Sequence, residues 1–364
     1  MKILEVITAL SSGGAERFVV DLCNQMVEDG HDVTILTLKN LNIGNNGFYL
    51  DDLSSRVKHV NLGLGKFNYN TFIKITQAIS RIDCNLVHLH LDSAFFGFLS
   101  YFFVRNKKYI VTSHNQAETE KQERLRLFVK RTCYKMGMFD FIAISHQNAE
   151  SIEKVYGKAP KKIIYNGRAS MPVSCKLNAV KAEIDMLKLN SKTNVFTIVA
   201  RCNPQKNIPR LIRCFNKLSD NDYNFVLLVI GNGYDSDSFS VIKKTACEKI
   251  HFLGERHNIV DYLSNSDFFT LSSDFEGMPI TLIEALACGC IPVGTPVSGF
   301  NDVIKNGKNG FVAKKISDDA YYNTLVEAIE HKEAIDKEDL KRLFEKKFSI
   351  KACASQYEQL FKSL

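Results

Sequence analysis

The sequence predicts an α/β protein made of two doubly wound domains. Three observations lead there. Strand-like and helix-like patterns alternate almost without exception along the 364 residues. Many strand candidates are apolar on both faces, as a parallel sheet covered by helices requires. The alternation breaks once, at 166–194, where Gly167, Pro172 and polar residues mark a linker with a short helical stretch (180–187). At about 150 residues per domain the length also fits two domains.

Taken in order, KILEVIT, DVTILTL, VKHVNLG, LVHLHL, KYIVTSH, FIAIS and KIIYNG read as strands in the first half. They are short, rich in β-branched residues and bounded by turn chemistry. Helical periodicity fills 15–28, 71–82 and 125–136 between them. After the linker the scheme repeats with VFTIVA, FVLLVIG, IHFLG, FFTLSS and IPVGT. The domains are therefore expected at 1–170 and 171–348, with a final helical stretch at 349–364 that can pack back on the first. No repeat at solenoid periods interrupts this rhythm.

Composition excludes several classes. Apolar residues make up 45% and charged residues 24% of the chain, with 20 Gly and 7 Pro. These values are ordinary for a globular protein and rule out collagen-like or low-complexity chains. Ten cysteines are scattered without a single C-x-x-C pair, which argues against a zinc ribbon and for a reducing, cytoplasmic setting. Cys288-Gly289-Cys290 reads as small residues between a helix end and a strand start. The opening apolar run is broken by Glu5 and leads into a glycine turn, so it reads as a first strand rather than a leader. The longest apolar run, 94–104, falls short of the ~20 residues that span a bilayer.

Charge is unevenly placed. Residues 1–170 carry 22 Lys and Arg against 16 Asp and Glu, which is most of the net +7 of the whole chain. The stretch 121–136 interleaves Lys121, Arg124, Arg126, Lys130, Arg131 and Lys135 with Leu125, Leu127, Phe128, Val129 and Tyr134. Such a stretch reads either as a basic amphipathic helix on an anionic membrane surface or as a solvated helix face.

In open α/β sheets ligands bind beyond the carboxyl ends of strands, and the chemistry-bearing residues cluster there. Gly13 and Gly14 follow the first strand and open a helix, where backbone N–H groups can receive an anion. His114, in Thr-Ser-His-Asn, ends the strand KYIV and can bond a phosphate oxygen or move a proton. Arg201 and Lys206 flank the turn after VFTIVA, two cations able to grip a diphosphate. In DFEGMPITLIEALACGC, Pro279 suits a helix start and Gly289 its end. Glu276 then precedes the helix, Gly277 and Met278 form its mouth, and Glu284 lies inside it. Asp235-Ser236-Asp237 matches a D-x-D metal pattern but falls at a loop or helix start, and no metal site is expected. Gly231-Asn232-Gly233 lacks the third glycine of a dinucleotide fingerprint.

Together, GGAER, SHN, the R-x4-K pair, E-x7-E from Glu276 to Glu284 and the tail FNDVIKNGKNGFV resemble glycosyltransferase family 4 over essentially the whole chain. The resemblance implies a GT-B fold, with two Rossmann-like domains facing across a cleft. The first would be the acceptor side and the second the nucleotide-sugar donor side. It also implies a retaining transfer of a hexosyl or N-acetylhexosaminyl group to a glycan acceptor, lipid-linked, in bacterial surface polysaccharide (O-antigen, capsule or lipopolysaccharide) biosynthesis. Arg201 and Lys206 would hold the donor diphosphate, Glu284 the ribose, and Glu276 with Gly277, Met278 and Pro279 the transferred sugar. His114 would face sugar or phosphate, and Gly13 and Gly14 would approach the donor or acceptor. The donor would be a UDP-sugar rather than a GDP-sugar, with no metal or other cofactor and no nucleic acid. The enzyme would be cytoplasmic, peripheral on the inner membrane face through 121–136. A GT-B sugar-nucleotide epimerase and a non-catalytic nucleotide-sugar binder are the alternatives. Cys202 and Asn203 stand where the family more often carries apolar residues.

Overall fold

The computed structural model describes residues 1–65, 69–91, 93–118 and 124–364. The chain divides into two compact units, Met1–Ala169 with Lys347–Leu364, and Ser170–Lys346.

The first unit is built on seven strands: β1 (Lys2–Ile7), β2 (Asp32–Lys39), β3 (Lys58–Leu64), β4 (Leu86–His90), β5 (Lys108–Ser113), β6 (Asp140–Ala143) and β7 (Lys162–Ile163). All neighbours are parallel, in the order β3-β2-β1-β4-β5-β6-β7. Between them run α1 (Gly14–Glu28), α2 (Tyr69–Arg81), α3 (Ser93–Phe103), α4 (Arg124–Lys135) and α5 (His146–Tyr156). Every strand expected in this half is present, and the apolar run 94–104 is the helix α3. Local chemistry sets the ends. Ser145 caps α5 by accepting from the Asn148 amide, and Gly157 stops it in the left-handed conformation.

The second unit holds α6 (Leu177–Leu187), β8 (Asn194–Val199), α7 (Ile208–Asp220), β9 (Phe225–Ile230), α8 (Asp237–Lys243), β10 (Ile250–Gly254), α9 (Ile259–Ser264) and β11 (Phe268–Leu271). Then follow α10 (Ile280–Ala287), β12 (Ile291–Gly294), α11 (Phe300–Val303), β13 (Phe311–Val312), α12 (Asp318–His331) and α13 (Lys337–Lys347). Its parallel sheet runs β10-β9-β8-β11-β12-β13. The two-residue β13 is too short to carry a period of its own and lay inside what read as a tail motif. The last helix, α14 (Ile350–Ser363), is capped by Ser349 and packs against α1 in the first unit.

Strands β1, β8 and β9 are buried along almost their whole length, the signature of sheets covered on both faces. In each sheet the strand order reverses once, between β1 and β4 and between β8 and β11. Loops leaving two strands on either side of such a reversal diverge and open a crevice. That geometry selects the loops after β1, β4 and β5 in one unit and those after β8 and β11 in the other. All ten cysteines are free. Among the described residues no helix is long and apolar enough to cross a membrane.

Candidate active site

In the second unit the loops after β8 and β11 are tied together. Asn207 adopts the left-handed conformation at φ 45°, caps α7 by accepting from the Arg210 amide, and donates to both Asp274 oxygens. Arg210 donates to Asp274 at 2.5 Å, Asp318 and the Ser272 carbonyl. The Ser272 hydroxyl donates to the Lys206 carbonyl, and the Asp274 amide to that of Gln205. This lattice fixes where two side chains meet: Lys206 Nζ lies 2.7 Å from Glu276 Oε1. Ser273 and Gln205 donate to the same carboxylate.

Glu276 is 7% exposed and Glu284 8% exposed. Pro279 is the cap of α10, so the Gly277-Met278 peptides form its mouth, as expected. Gly299 (φ 72°) presses against that mouth. A Cβ there would lie 2.7 Å from the Gly277 carbonyl. Arg201, by contrast, is exposed, with no ion-pair partner among the described residues. The arrangement is a free guanidinium, an ammonium braced by a carboxylate, and a helix mouth, which together can receive a dianion and a polyol.

Gly231, dismissed as part of a nucleotide fingerprint, has a structural task beside Arg201. It sits at φ 143°, and a Cβ would come 1.9 Å from the Ala200 carbonyl, which also accepts from the buried Tyr234 hydroxyl at 2.7 Å. Gly231→Ala is expected to destabilise the protein by about 3 kcal/mol, through backbone strain and displacement of the Arg201 loop. A denaturant midpoint equal to wild type would show that the loop yields without cost.

Asp235 pairs with Lys243 at 2.8 Å, and Asp237 lies in the first turn of α8.

In the first unit, a cavity of about 250 Å³ lies at the carboxyl ends of β1 and β5, bordered by Thr8, Ser11, Glu16, Lys39, His114 and Lys130. The glycine turn helps to shape it. The Glu16 carboxylate folds back over Gly13, accepts from the Ser11 hydroxyl at 2.7 Å, and leaves no room for a Cβ at Gly13, while Gly14 begins α1. Two buried polar atoms here, Thr8 Oγ1 and His114 Nδ1, have no hydrogen-bond partner among the described residues.

Lys130 corrects the reading of 121–136 as one basic face. It is 6% exposed and turned toward the cavity, while Arg124, Arg131 and Lys135 are exposed. Lys121 lies outside the described residues. Leu125, Phe128 and Met136 are more than 60% exposed, so part of the apolar side of α4 is the part that faces out.

Behind the cavity is a cluster that sequence reasoning missed. Glu5, His88 and His90 are wholly buried. His88 Nδ1 lies 2.9 Å and His90 Nε2 2.7 Å from Glu5 Oε2, and His90 Nδ1 lies 3.0 Å from His114 Nε2. On the far side His88 Nε2 meets the Thr112 hydroxyl, which meets that of Tyr357. Burial alone would raise the Glu5 carboxyl, but the charge and hydrogen bonds of His88 and His90 outweigh it and hold it down at about 2. Burial and the neighbouring His88 push His90 down to about 4. Burial, then His90 and His88, keep His114 well below its ordinary value. The signal was present: Glu5 is a carboxylate inside an apolar strand, and His88 and His90, two apart, share one face of β4. Glu5, His88 and His90 are also spaced as metal ligands could be, though each of these ligand atoms already bonds another of the three.

Residues 12–168 match the family described as Glycosyltransferase Family 4, and residues 180–349 that described as Glycosyl transferases group 1. The chain belongs to the family 4 glycosyltransferases. Its sheets share the GT-B fold with a solved structure, Anabaena HepE in complex with UDP and glucose, at a TM-score of 0.82 and 18% identity over 100% of both chains. A Campylobacter jejuni relative, N,N'-diacetylbacillosaminyl-diphospho-undecaprenol alpha-1,3-N-acetylgalactosaminyltransferase, is 29% identical over 51% of each chain. This chain thus spans about half the length of that relative in the match. The capsular polysaccharide biosynthesis glycosyltransferase CapH of Staphylococcus aureus is 23% identical over 93% of this chain and 94% of its own. The two relatives named here are bacterial glycosyltransferases, one acting on a lipid-linked sugar and one in capsular polysaccharide biosynthesis.

Proposed function

We propose that the protein transfers a sugar, with retention, from a UDP-sugar to a lipid-linked glycan acceptor in bacterial surface-polysaccharide assembly. The observation that carries the donor side is the Lys206–Glu276 contact at the mouth of α10, with the exposed Arg201 on the same β8–α7 loop. Arg201 and Lys206 stabilise the departing diphosphate electrostatically. Glu276 orients Lys206 and accepts from a sugar hydroxyl, the Gly277 and Met278 amides at Pro279 complete the mouth, and Glu284 takes the ribose. His114, Gly13 and Gly14 belong to the acceptor-side unit. A donor screen that follows released nucleoside diphosphate, with and without polyprenyl-diphosphate sugars, tests the reading. Release only from GDP-sugars, or release indifferent to any acceptor, overturns it.

The reaction uses no metal in this reading, because two cations occupy the place where a metal would offset diphosphate charge. Full turnover is expected in excess EDTA. Activity lost there and restored by Mn²⁺ or Mg²⁺ reverses the assignment.

The acceptor's lipid tail places the enzyme on the inner membrane face. Support comes from Leu125, Phe128 and Met136, exposed among Arg124, Arg131 and Lys135 on and just after α4. Exposed apolar side chains can enter a headgroup layer, and each basic residue near an anionic leaflet adds about 1 kcal/mol. Co-sedimentation with anionic vesicles at low salt is expected, weakening as salt rises and on neutralising Arg124, Arg131 and Lys135. Binding that ignores those three changes removes the membrane claim and leaves the transferase untouched.

A further inference from the structure

We infer that Glu5 and His90 are positioning residues that lock His114 in a single tautomer, with Nε2 protonated and Nδ1 bare, so that His114 accepts a hydrogen bond from a sugar hydroxyl and cannot donate to a phosphate. The inference deepens the transferase reading and rests on it for the identity of the ligand.

Each contact along the chain from Glu5 to His114 needs one donor and one acceptor. An ionised carboxylate only accepts, so Glu5 Oε2, 2.7 Å from His90 Nε2, requires a proton on that nitrogen. A neutral imidazole carries one proton, which leaves His90 Nδ1 as a lone pair. His90 Nδ1 lies 3.0 Å from His114 Nε2 and must be met by a donor, so the His114 proton sits on Nε2. His114 Nδ1 is then a lone pair, and it is the ring nitrogen with no partner among the described residues, on a residue that borders the cavity. The other arm of Glu5 fits the same accounting, because His88 Nδ1 donates to the carboxylate while His88 Nε2 faces the Thr112 hydroxyl, which in turn meets that of Tyr357.

Ionisable groups around the relay do not upset this state. The low values of Glu5, His90 and His114 keep the carboxyl charged and both of these imidazoles neutral at pH 7. Cys23, close enough to feel Glu5, is held as a thiol by burial. Phe18 stacks obliquely on His114, with centroids 5.6 Å apart, and contributes to holding the ring's place. A phosphate oxygen at neutral pH accepts, and two acceptors repel. A hydroxyl donates. The relay thereby selects a hydroxyl of the substrate for this position.

The test reads the tautomer directly. Long-range ¹H–¹⁵N spectra of the full-length, substrate-free protein at pH 7 should show His114 with a bare Nδ1 and a protonated Nε2. Glu5→Gln replaces a pure acceptor by an amide that also donates, and both His114 tautomers should then be populated. The same variant should lose about tenfold in kcat/KM for sugar transfer, measured at a temperature well below its own melting midpoint, where it is fully folded. His114 found as the Nδ1–H tautomer in the wild type overturns the proposal, and this measurement needs no variant to fold. So does a tautomer unchanged in Glu5→Gln, or a changed tautomer with unchanged kcat/KM. Stoichiometric zinc in the purified protein, whose removal by chelator shifts the His88 and His90 signals, also overturns it, because the metal then takes the place of the two protons. Failure of the donor screen with the expected spectra leaves the relay standing and removes only the substrate.

Discussion

Lys206→Ala and Arg201→Ala are each expected to lower kcat by about 10²- to 10³-fold, a loss on the order of 2–4 kcal/mol of transition-state stabilisation. Both cations leave β8 on one loop, and the ammonium of Lys206 is held at 2.7 Å from Glu276 before any ligand arrives. A group positioned in advance spends nothing on reorganisation when negative charge grows on the leaving diphosphate. The two variants differ in what they leave behind. Arg201 is exposed, so its removal disturbs no packing, and the melting temperature should stay at the wild-type value. Removing Lys206 leaves Glu276 with Ser273 and Gln205 as donors, which is enough to keep the loop in place. Steady-state kinetics with saturating donor decide the matter. Wild-type kcat in both variants removes the diphosphate assignment. A raised KM at constant kcat would mean that they bind donor and transition state equally.

Glu5→Ala is expected to cost about 3–5 kcal/mol of folding free energy, because two imidazole N–H donors are left buried without an acceptor beside a new cavity. Acid should act in the same direction. His90 is neutral in the fold down to about pH 4, whereas the unfolded chain takes up that proton near 6.5. Between those values the unfolded state binds more protons, so stability falls as pH falls, by about 1.4 kcal/mol per pH unit for this one residue. His114, lowered for the same reason of burial, adds to the slope. Glu5 stays ionised to about 2, below its ordinary 4.5, and its contribution is lost over that lower window. Urea midpoints at pH 7 and pH 5 test this. Equal midpoints, or a Glu5→Ala loss under 1 kcal/mol, would mean that the cluster is not held as described.

The grouping of Arg201 and Lys206 on one loop, and of Glu276 and Glu284 about one helix, was legible because these relations are local. Arg201 and Lys206 lie five apart across one turn, and Glu276 and Glu284 bracket one helix mouth marked by Pro279. Short-range turn and helix geometry nearly forces such neighbours onto one loop. The strands were legible for a similar reason, since burial on both faces imposes an apolar run that composition alone displays.

What remained for the tertiary structure was everything set by strand order and helix rotation. Glu5 and His88 are 83 residues apart, and only the β1–β4 pairing, with Glu5 directly opposite His88, makes them partners. Nothing in either segment encodes that register. Lys130 shows the same limit on a helix. Its spacing among apolar and basic neighbours is compatible with a solvated face, and the side it turns inward is decided by what α4 packs against. Local pattern determines which residues share a loop or a face. Long-range packing determines which face is covered and which distant charge it meets, and the cost of burying Glu5 is offset by His88 and His90, far away in the chain.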